Sequence, residues 1–394
     1  MEQGPAVPTY VLRGHDAPIH ALQFYCRNKY LASGDSEGWL VIWSLATKRP
    51  TAVWKAHEGA LMAIRPWGHH RLVTHGRDHK LRVWHARTED LAGLGTSLPN
   101  DGATLDQPQP WLLHSLSVSA LNFCAFSICD ESVPPLPDQG PVPQLIASPN
   151  GLDSGGIDIF QLPSERRVSQ LQSDKDSPTG MVMAVSLFRD PSSSRLVLIS
   201  GYEDGSIMVH CRDGSLDVDK PWQKVTTSKP HSQPVLSLDV SPSREHFVTS
   251  GADATIAKFT LKLSDISEAR NPEKSVNTKH AGQQGLSYRS DGKILATAGW
   301  DGRVRVYSAK TLKELAVLKW HTLGCYATAF ADVNPGDDNH ESTGTESSTS
   351  QATDVLSKLT ALDLIKQQRA EKARLTHWLA AGGKDGKISL WDIY

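Results

Sequence analysis

The 394-residue chain has no long apolar run, no paired-cysteine motif and no dominant charge sign, and each absence removes a class of protein. No segment approaches the ~20 apolar residues that a membrane-spanning helix requires. The opening stretch MEQGPAVPTYVLRGHD has neither the basic nor the apolar region of a secretory leader. The five cysteines, Cys26, Cys124, Cys129, Cys211 and Cys325, are odd in number, scattered and without a C-x-x-C pair. That excludes a disulfide framework or zinc ribbon and fits a reducing compartment, the nucleus or the cytoplasm. With 41 Lys plus Arg against 43 Asp plus Glu, the formal charge of −2 gives no net attraction to a polyanion. Neither direct nucleic-acid binding nor membrane association is expected. The nucleophile-elbow pattern G-x-S-x-G does not occur.

What the chain does contain is a repeat. LASGDSEGWLVIW, LVTHGRDHKLRVW, LISGYEDGSIMVH, FVTSGADATIAKF, LATAGWDGRVRVY and LAAGGKDGKISLW share one pattern: a strand, a small acidic turn, and a second strand ending on a large side chain. Those side chains are Trp43, Trp84, His210, Phe259, Tyr307 and Trp391, and LIASPNGLDSGGIDIF, ending at Phe160, is a weaker seventh copy. Successive spacings of 41, 76, 50, 49, 48 and 84 residues match a four-stranded propeller blade, twice lengthened by an insertion. The expectation is a single all-β domain over residues 1–394, a seven-bladed β-propeller.

Three further positions recur. His15, His57, His231 and His280 precede the large residue by 28, 27, 28 and 27 positions. Glu37, Asp78, Asp204, Asp253, Asp301 and Asp385 stand six before it, and a Ser or Thr stands four before each acid except at Ala381. This resembles the structural tetrad of WD-repeat blades, in which the turn carboxylate accepts from a loop histidine and the hydroxyl and Trp extend the network. A carboxylate held this way can be sunk into a blade without an unpaired charge. Repetition at blade spacing argues against a catalytic triad, which occurs once. The six histidines between His57 and His85 sit at opposite blade ends and read as loop residues rather than a metal site. LRVWHAR, with Arg87 after His85, and the Gly-rich GLDSGG carry no independent site.

After Trp391 only three residues remain, so the last blade lacks an outer strand, and the orphan strand Pro8 to Arg13 is expected to supply it against Ile388 to Ile393. Insertions at 88–108, 130–143 and from Asp332 to about Leu375 are all placed on the face opposite the His and Asp loops, a pattern that often marks a binding face. Within the last, 334–353 reads as disordered and 354–375 as an inserted helix. Val355, Leu359 and Leu362, with Lys366 interrupting their stripe, are candidate partner contacts. The stripe fits either a helix laid on its own blade or one offered to a partner.

Across Pro8 to Tyr394, YVLRGHDAPIHALQF, LASGDSEGWLVIW, WKAHEGALMAIR, HGRDHKLRVWHAR and AAGGKDGKISLWDIY resemble the fungal ASTRA-associated protein 1 family, related to animal G-protein-β-subunit-like proteins. The resemblance implies a non-catalytic, cofactor-free scaffold subunit of the nuclear ASTRA assembly. Its partners would be RuvB-like ATPases, Tel- and Tti-type cochaperones and a Tra-type kinase-like protein. It further implies a link to chromatin regulation and to maturation of phosphatidylinositol-kinase-like proteins, with no small-molecule substrate. Two alternatives stay open: a cullin ubiquitin ligase substrate receptor, resting on Arg87, and a G-protein-β-like signalling scaffold, normally preceded by a long helix.

Overall fold

A computed structural model describes residues 6–104, 106–119, 123–132, 142–174, 178–213, 216, 220–264, 269–336 and 360–393. Seven four-stranded antiparallel sheets follow one another as the blades of a propeller. Blade 1 comprises Ile19–Tyr25, Tyr30–Asp35, Trp39–Ser44 and Arg49–Lys55, and blade 2 comprises Leu61–Trp67, Arg71–Gly76, Lys80–His85 and Leu112–Ser117. Blade 3 runs from Ser127–Asp130 to Arg166–Leu171, blade 4 from Val182–Arg189 to Gln223–Ser228, and blade 5 from Val235–Val240 to Lys274–Asn277. Blade 6 runs from Gln283–Tyr288 to Glu314–Lys319.

Blade 7 is assembled from both ends of the chain. Cys325–Phe330, Trp378–Gly383 and Lys387–Asp392 are its first three strands, and Tyr10–Arg13 is its fourth. Tyr10 lies opposite Leu390 and Arg13 opposite Lys387. This removes an edge that would otherwise expose unpaired backbone groups. Leu12 is driven into the seam between blades 7 and 1 at 1% exposure, which fixes the register of the short strand.

The second strands read as nearly continuous apolar or small-residue runs because both faces are covered by neighbouring blades. Seven apolar clusters each join two successive blades, closing with one between blades 7 and 1. Between blades 1 and 2 the Trp54 and Trp84 rings meet edge to face at 6.0 Å. Each fully buried large side chain contributes roughly 1.5–3 kcal/mol, so the ring is held by its seams and not by any one blade.

The insertion in blade 2 is not an open loop. It carries a short helix α1 (Thr88–Ala92) and a single 3₁₀ turn (Pro99–Asp101), and it folds back over blade 1. Leu91 enters the seam between blades 1 and 2, the Gly95 carbonyl accepts from Val53 N–H on the outer strand of blade 1 (2.9 Å), and Leu98 lies against Gly14 and Trp43. Part of the outer edge of blade 1 is thereby covered. Residues 133–141 of the second insertion lie outside the described residues. The third holds helix α2 (Ala361–Leu375), capped by Thr360, whose Oγ1 accepts from Asp363 N–H (3.2 Å) and donates to Asp363 Oδ2 (2.6 Å). No described helix is long and apolar enough to cross a membrane.

Candidate functional site

The recurrent polar residues meet at one end of the blades, where the second strand leaves the core. In blade 2, His57 Nδ1 lies 2.9 Å from Asp78, His57 Nε2 lies 2.7 Å from Thr74 Oγ1, and the Trp84 indole donates to the same hydroxyl at 2.9 Å. A carboxylate can only accept, so Nδ1 carries the proton, Nε2 accepts from Thr74, and Thr74 accepts from Trp84. Burial would raise the Asp78 carboxyl, but the His57 bond, the Glu58 N–H and Arg82 outweigh it and hold the group at about 2. Burial lowers the His57 imidazole more than Asp78 raises it, so the ring is neutral near pH 7. His231, Asp253 and Thr249 repeat the arrangement in blade 5 at 3.0 and 2.9 Å, with Phe259 in the place of the indole.

In blade 1 the acid is Asp35 and not Glu37. His15 Nδ1 lies 2.7 Å from Asp35, His15 Nε2 lies 2.8 Å from Ser33, and Trp43 donates to Ser33 at 2.8 Å. Glu37 is exposed and contributes only a backbone N–H to Asp35 (3.0 Å). The reason is steric. Asp35 sits two residues after the buried hydroxyl, and in blades 2, 5, 6 and 7 that position is Gly76, Gly251, Gly299 or Gly383. A Cβ added at Gly76 would stand 2.3 Å from His57 Nδ1 and 2.7 Å from the Asp78 carboxylate. The space can hold a carboxylate reaching back from the turn over a glycine, or one growing from the strand itself.

His280 is likewise outside the network. Its side chain is 47% exposed and 3.7 Å from Asp301. His15, His57, His231 and His321 each stand four residues before their blade's first strand, whereas His280 stands three before Gln283. Gln283 turns its own amide into the space and accepts from Thr297 Oγ1 at 2.6 Å, while Arg305 grips Asp301 at 3.1 and 2.6 Å. In blade 7 the histidine that sequence spacing misses is His321, 64 positions before Asp385 and separated from it by the insertion. It reaches Asp385 at 3.2 Å and Ser389 at 2.9 Å, and Trp391 donates to Ser389 at 2.9 Å. Ser389 lies directly across the ladder from Ala381, so the hydroxyl missing at Ala381 comes from the facing strand.

Blades 3 and 4 use other chemistry. Asn150 donates to both oxygens of Asp158 at 2.9 Å, and Ser200 donates to Tyr202 at 3.0 Å. Asp204 is held by Ser206 and Lys229. His210 takes the aromatic position, and burial pushes it down to about 4.

A central channel of about 410 Å³ runs between the first strands. His20 stacks on Tyr326 at 5.0 Å, and Asp239, raised by burial to about 6, accepts from the Tyr288 and Val240 N–H groups at 2.7 and 2.9 Å. Of the histidine-rich stretch, His75 is buried, His85 pairs with Asp90 at 2.7 Å, and His69 and His70 lie in the first turn of blade 2. Among the described residues no three His, Cys, Asp or Glu side chains are grouped to hold a metal ion. Arg87 is exposed at the N-cap position of α1.

Of the candidate contacts, Val355 and Leu359 lie outside the described residues, as do 337–353 of the expected disordered stretch and 354–359 of the expected helix. Leu362 is 60% exposed and Lys366 is exposed on α2. Only the last turn is anchored: Ala373 and Arg374 are buried, and the Ala373 carbonyl accepts from Trp378 Nε1 at 2.8 Å.

These features define a seven-bladed β-propeller most of whose recurrent polar residues are taken up by buried structural networks. The family model described as ASTRA-associated protein 1 matches residues 8–391. ASTRA-associated protein 1 of Penicillium rubens is 49% identical, covering 100% of this chain and 98% of that protein, and that of Aspergillus niger is 47% identical at the same coverage. The Schizosaccharomyces japonicus protein of the same name is 30% identical over 98% of this chain and 99% of its own. The chain belongs to the ASTRA-associated protein 1 family.

Proposed function

We propose that the protein is a non-catalytic scaffold subunit of the nuclear ASTRA assembly, whose members would be RuvB-like ATPases, Tel- and Tti-type cochaperones and a Tra-type kinase-like protein. The observation that carries this reading is end-to-end similarity to proteins named for their association with ASTRA. The geometry supports the non-catalytic part. The His–Asp–Ser/Thr connectivity is that of a hydrolase triad, yet the Ser33, Thr74 and Thr249 hydroxyls are fully buried, and in blades 1 and 2 an indole donates to the same oxygen. On this reading the link to chromatin remodelling and to kinase-like protein maturation is structural: a rigid ring holds other subunits in place. Affinity purification of the tagged full chain, with identification of co-purifying proteins, tests it. Recovery of the ASTRA chains is expected, whereas recovery of a cullin adaptor set or of G-protein γ-type chains in their place would overturn it.

A further inference from the structure

We propose that the face carrying the first-to-second and third-to-fourth strand connections of blades 1 and 2, together with α2 of blade 7, docks an acidic segment of a partner protein that also carries apolar residues. The proposal rests on the scaffold reading and adds where and by what chemistry a partner is held.

Side-chain contacts join these segments into one surface. Asn28, in the first turn of blade 1, donates to the carbonyls of Asp332 (2.8 Å) and Arg374 (3.1 Å) and accepts from Asp332 N–H (3.0 Å), which ties the base of α2 to blade 1. Lys48, in the other turn of blade 1 on this face, places its Nζ 4.2 Å over the Trp378 ring just beyond α2. Cys26 Sγ donates to the His69 carbonyl of blade 2 at 3.4 Å. Arg71 covers the Trp67 ring at 4.6 Å and feels the charge of Arg87 at the start of α1.

The charge on this surface is predominantly positive although the chain as a whole carries −2. Lys48, Arg71 and Arg87 line the blades, and α2 adds Lys366, Arg369 and Lys372, all three exposed. Several nearby acids are already engaged, Glu371 by Arg374 at 2.7 Å, Asp90 by His85 at 2.7 Å, and Asp363 by Thr360 at 2.6 Å and Lys366 at 3.8 Å, while Glu89 on α1 is exposed. The cations therefore present a positive field whose complement is an acidic partner.

The apolar component decides between kinds of polyanion. Leu362, Ile365, Arg369 and Lys372 follow one another at i, i+3, i+7 and i+10 and so share a stripe of α2, with Leu362 60% and Ile365 46% exposed. A nucleic-acid backbone would use the cations and leave the two aliphatic side chains in water. An acidic segment with its own apolar residues uses both halves of the stripe. A stable interface needs about 800 Å² per partner, so the proposed surface extends from α2 over the blade 1 and 2 connections.

The test uses the full chain and three labelled probes in fluorescence anisotropy: a ~20-residue peptide of Asp, Glu, Leu and Phe, an equally charged peptide without the apolar residues, and a ~20-base-pair DNA duplex. The apolar acidic peptide is expected to bind most tightly and to weaken at least ~10-fold when Arg369→Glu, Lys372→Glu and Arg87→Glu are combined. Lys279→Glu with Lys384→Glu, on the opposite face, should leave binding unchanged. Should the triple variant not fold, a salt titration of the unmodified chain replaces it, with the peptide expected to lose affinity steeply as salt rises. No binding at low salt, equal binding of the apolar-free peptide, tighter binding of the duplex, or an unaltered triple variant each overturns the proposal. Affinity purification separates the two readings. If the unmodified chain recovers no ASTRA chains, the scaffold reading fails while the peptide arms still decide the docking chemistry. If both chains recover the full set, the docking surface fails and the scaffold stands.

Discussion

Blades 1, 2, 5 and 7 close their ends with a histidine between a carboxylate and a hydroxyl, while blades 3, 4 and 6 close the same region with Asn150, Tyr202 and Gln283. The second strands of all seven hold the same place in their sheets, and the position that carries the hydroxyl, or Ala381 in blade 7, is fully buried whichever chemistry is used. What the fold demands is therefore a polar plug at each blade end, although in blade 3 the buried Ser148 hydroxyl has no hydrogen-bond partner among the described residues. The histidine network is one solution to that demand, and the comparison predicts which plugs can be exchanged.

The largest effect should come from the one blade whose network is complete but whose sheet is borrowed. Removing residues 1–13 leaves His321, Asp385, Ser389 and Trp391 in place but takes away Leu12 and every bond to Lys387–Leu390. Loss of the seam contact costs ~2–3 kcal/mol for Leu12 alone, and the bared edge adds an aggregation route. The truncated protein should elute as aggregate or lose its cooperative thermal transition. A monomer with unchanged Tm would mean that the network, and not the strand, holds blade 7 together.

Next in size is exchange of the carboxylate between positions. Asp78→Ala strands His57 and Arg82 and should cost ~2–4 kcal/mol in denaturant unfolding. Adding Gly76→Asp puts a carboxylate where Asp35 has it in blade 1, but its Cβ would stand 2.3 Å from His57 Nδ1, so the ring must shift and the double variant should recover less than half of that loss. The parallel pair in blade 1 separates the two acids there: Asp35→Ala should match Asp78→Ala, and Glu37→Ala should stay within ~0.5 kcal/mol, as exposed substitutions do. Equal losses at Asp35 and Glu37 would contradict the geometry.

That pair also marks how far the sequence could be read. The period of large residues revealed seven blades and the closing strand, because apolar alternation and turn residues are local signals. Glu37 stood at the right distance from Trp43, but distance along the chain cannot tell a carboxylate on the turn from one occupying the glycine position. His280 matched its counterparts when counted back from Tyr307. Counted to the start of Gln283–Tyr288 it is one residue short, and that boundary is not visible in composition. His321 escaped because the insertion separates it from its acid by 64 positions. The fold over the insertion was legible only in outline, since α2 is tied to blade 1 by Asn28, whose partner Arg374 lies 346 positions along the chain.

A smaller effect concerns pH. Folding lowers the His57 and His231 imidazoles, so their contribution to stability is complete above their unfolded value of about 6.5 and declines as pH falls below it. Folding also lowers Asp78, Asp253 and Asp385, whose contribution is present above about 4 and is lost as pH falls further, through about 2 for Asp78. Both sets act in one direction, and Tm should fall between pH 7 and 5 and again below pH 4. Blade 6 shows that an amide can fill this space. His57→Gln should therefore cost only ~1–2 kcal/mol at pH 7 and shrink the loss between pH 7 and 5. An unchanged pH profile in that variant would assign the first step to other groups.

The smallest effect sharpens the contrast between the anchored and unanchored ends of α2. Leu362 is 60% exposed, whereas Ala373 is 8% exposed and belongs to the seam between blades 7 and 1. Leu362→Asp places a charge in solvent beside the helix N-terminus, where the dipole favours a negative group, and should move unfolding stability by less than ~0.5 kcal/mol. Ala373→Asp puts a carboxylate against Trp378 and the base of the helix and should cost ~2–4 kcal/mol. Similar, large losses at both positions in chemical denaturation would mean that α2 is laid along its blade as a structural brace. The expected asymmetry leaves the first turns of the helix with no role in holding the ring together, so that Leu362→Asp can be used to ask about partners without disturbing the fold.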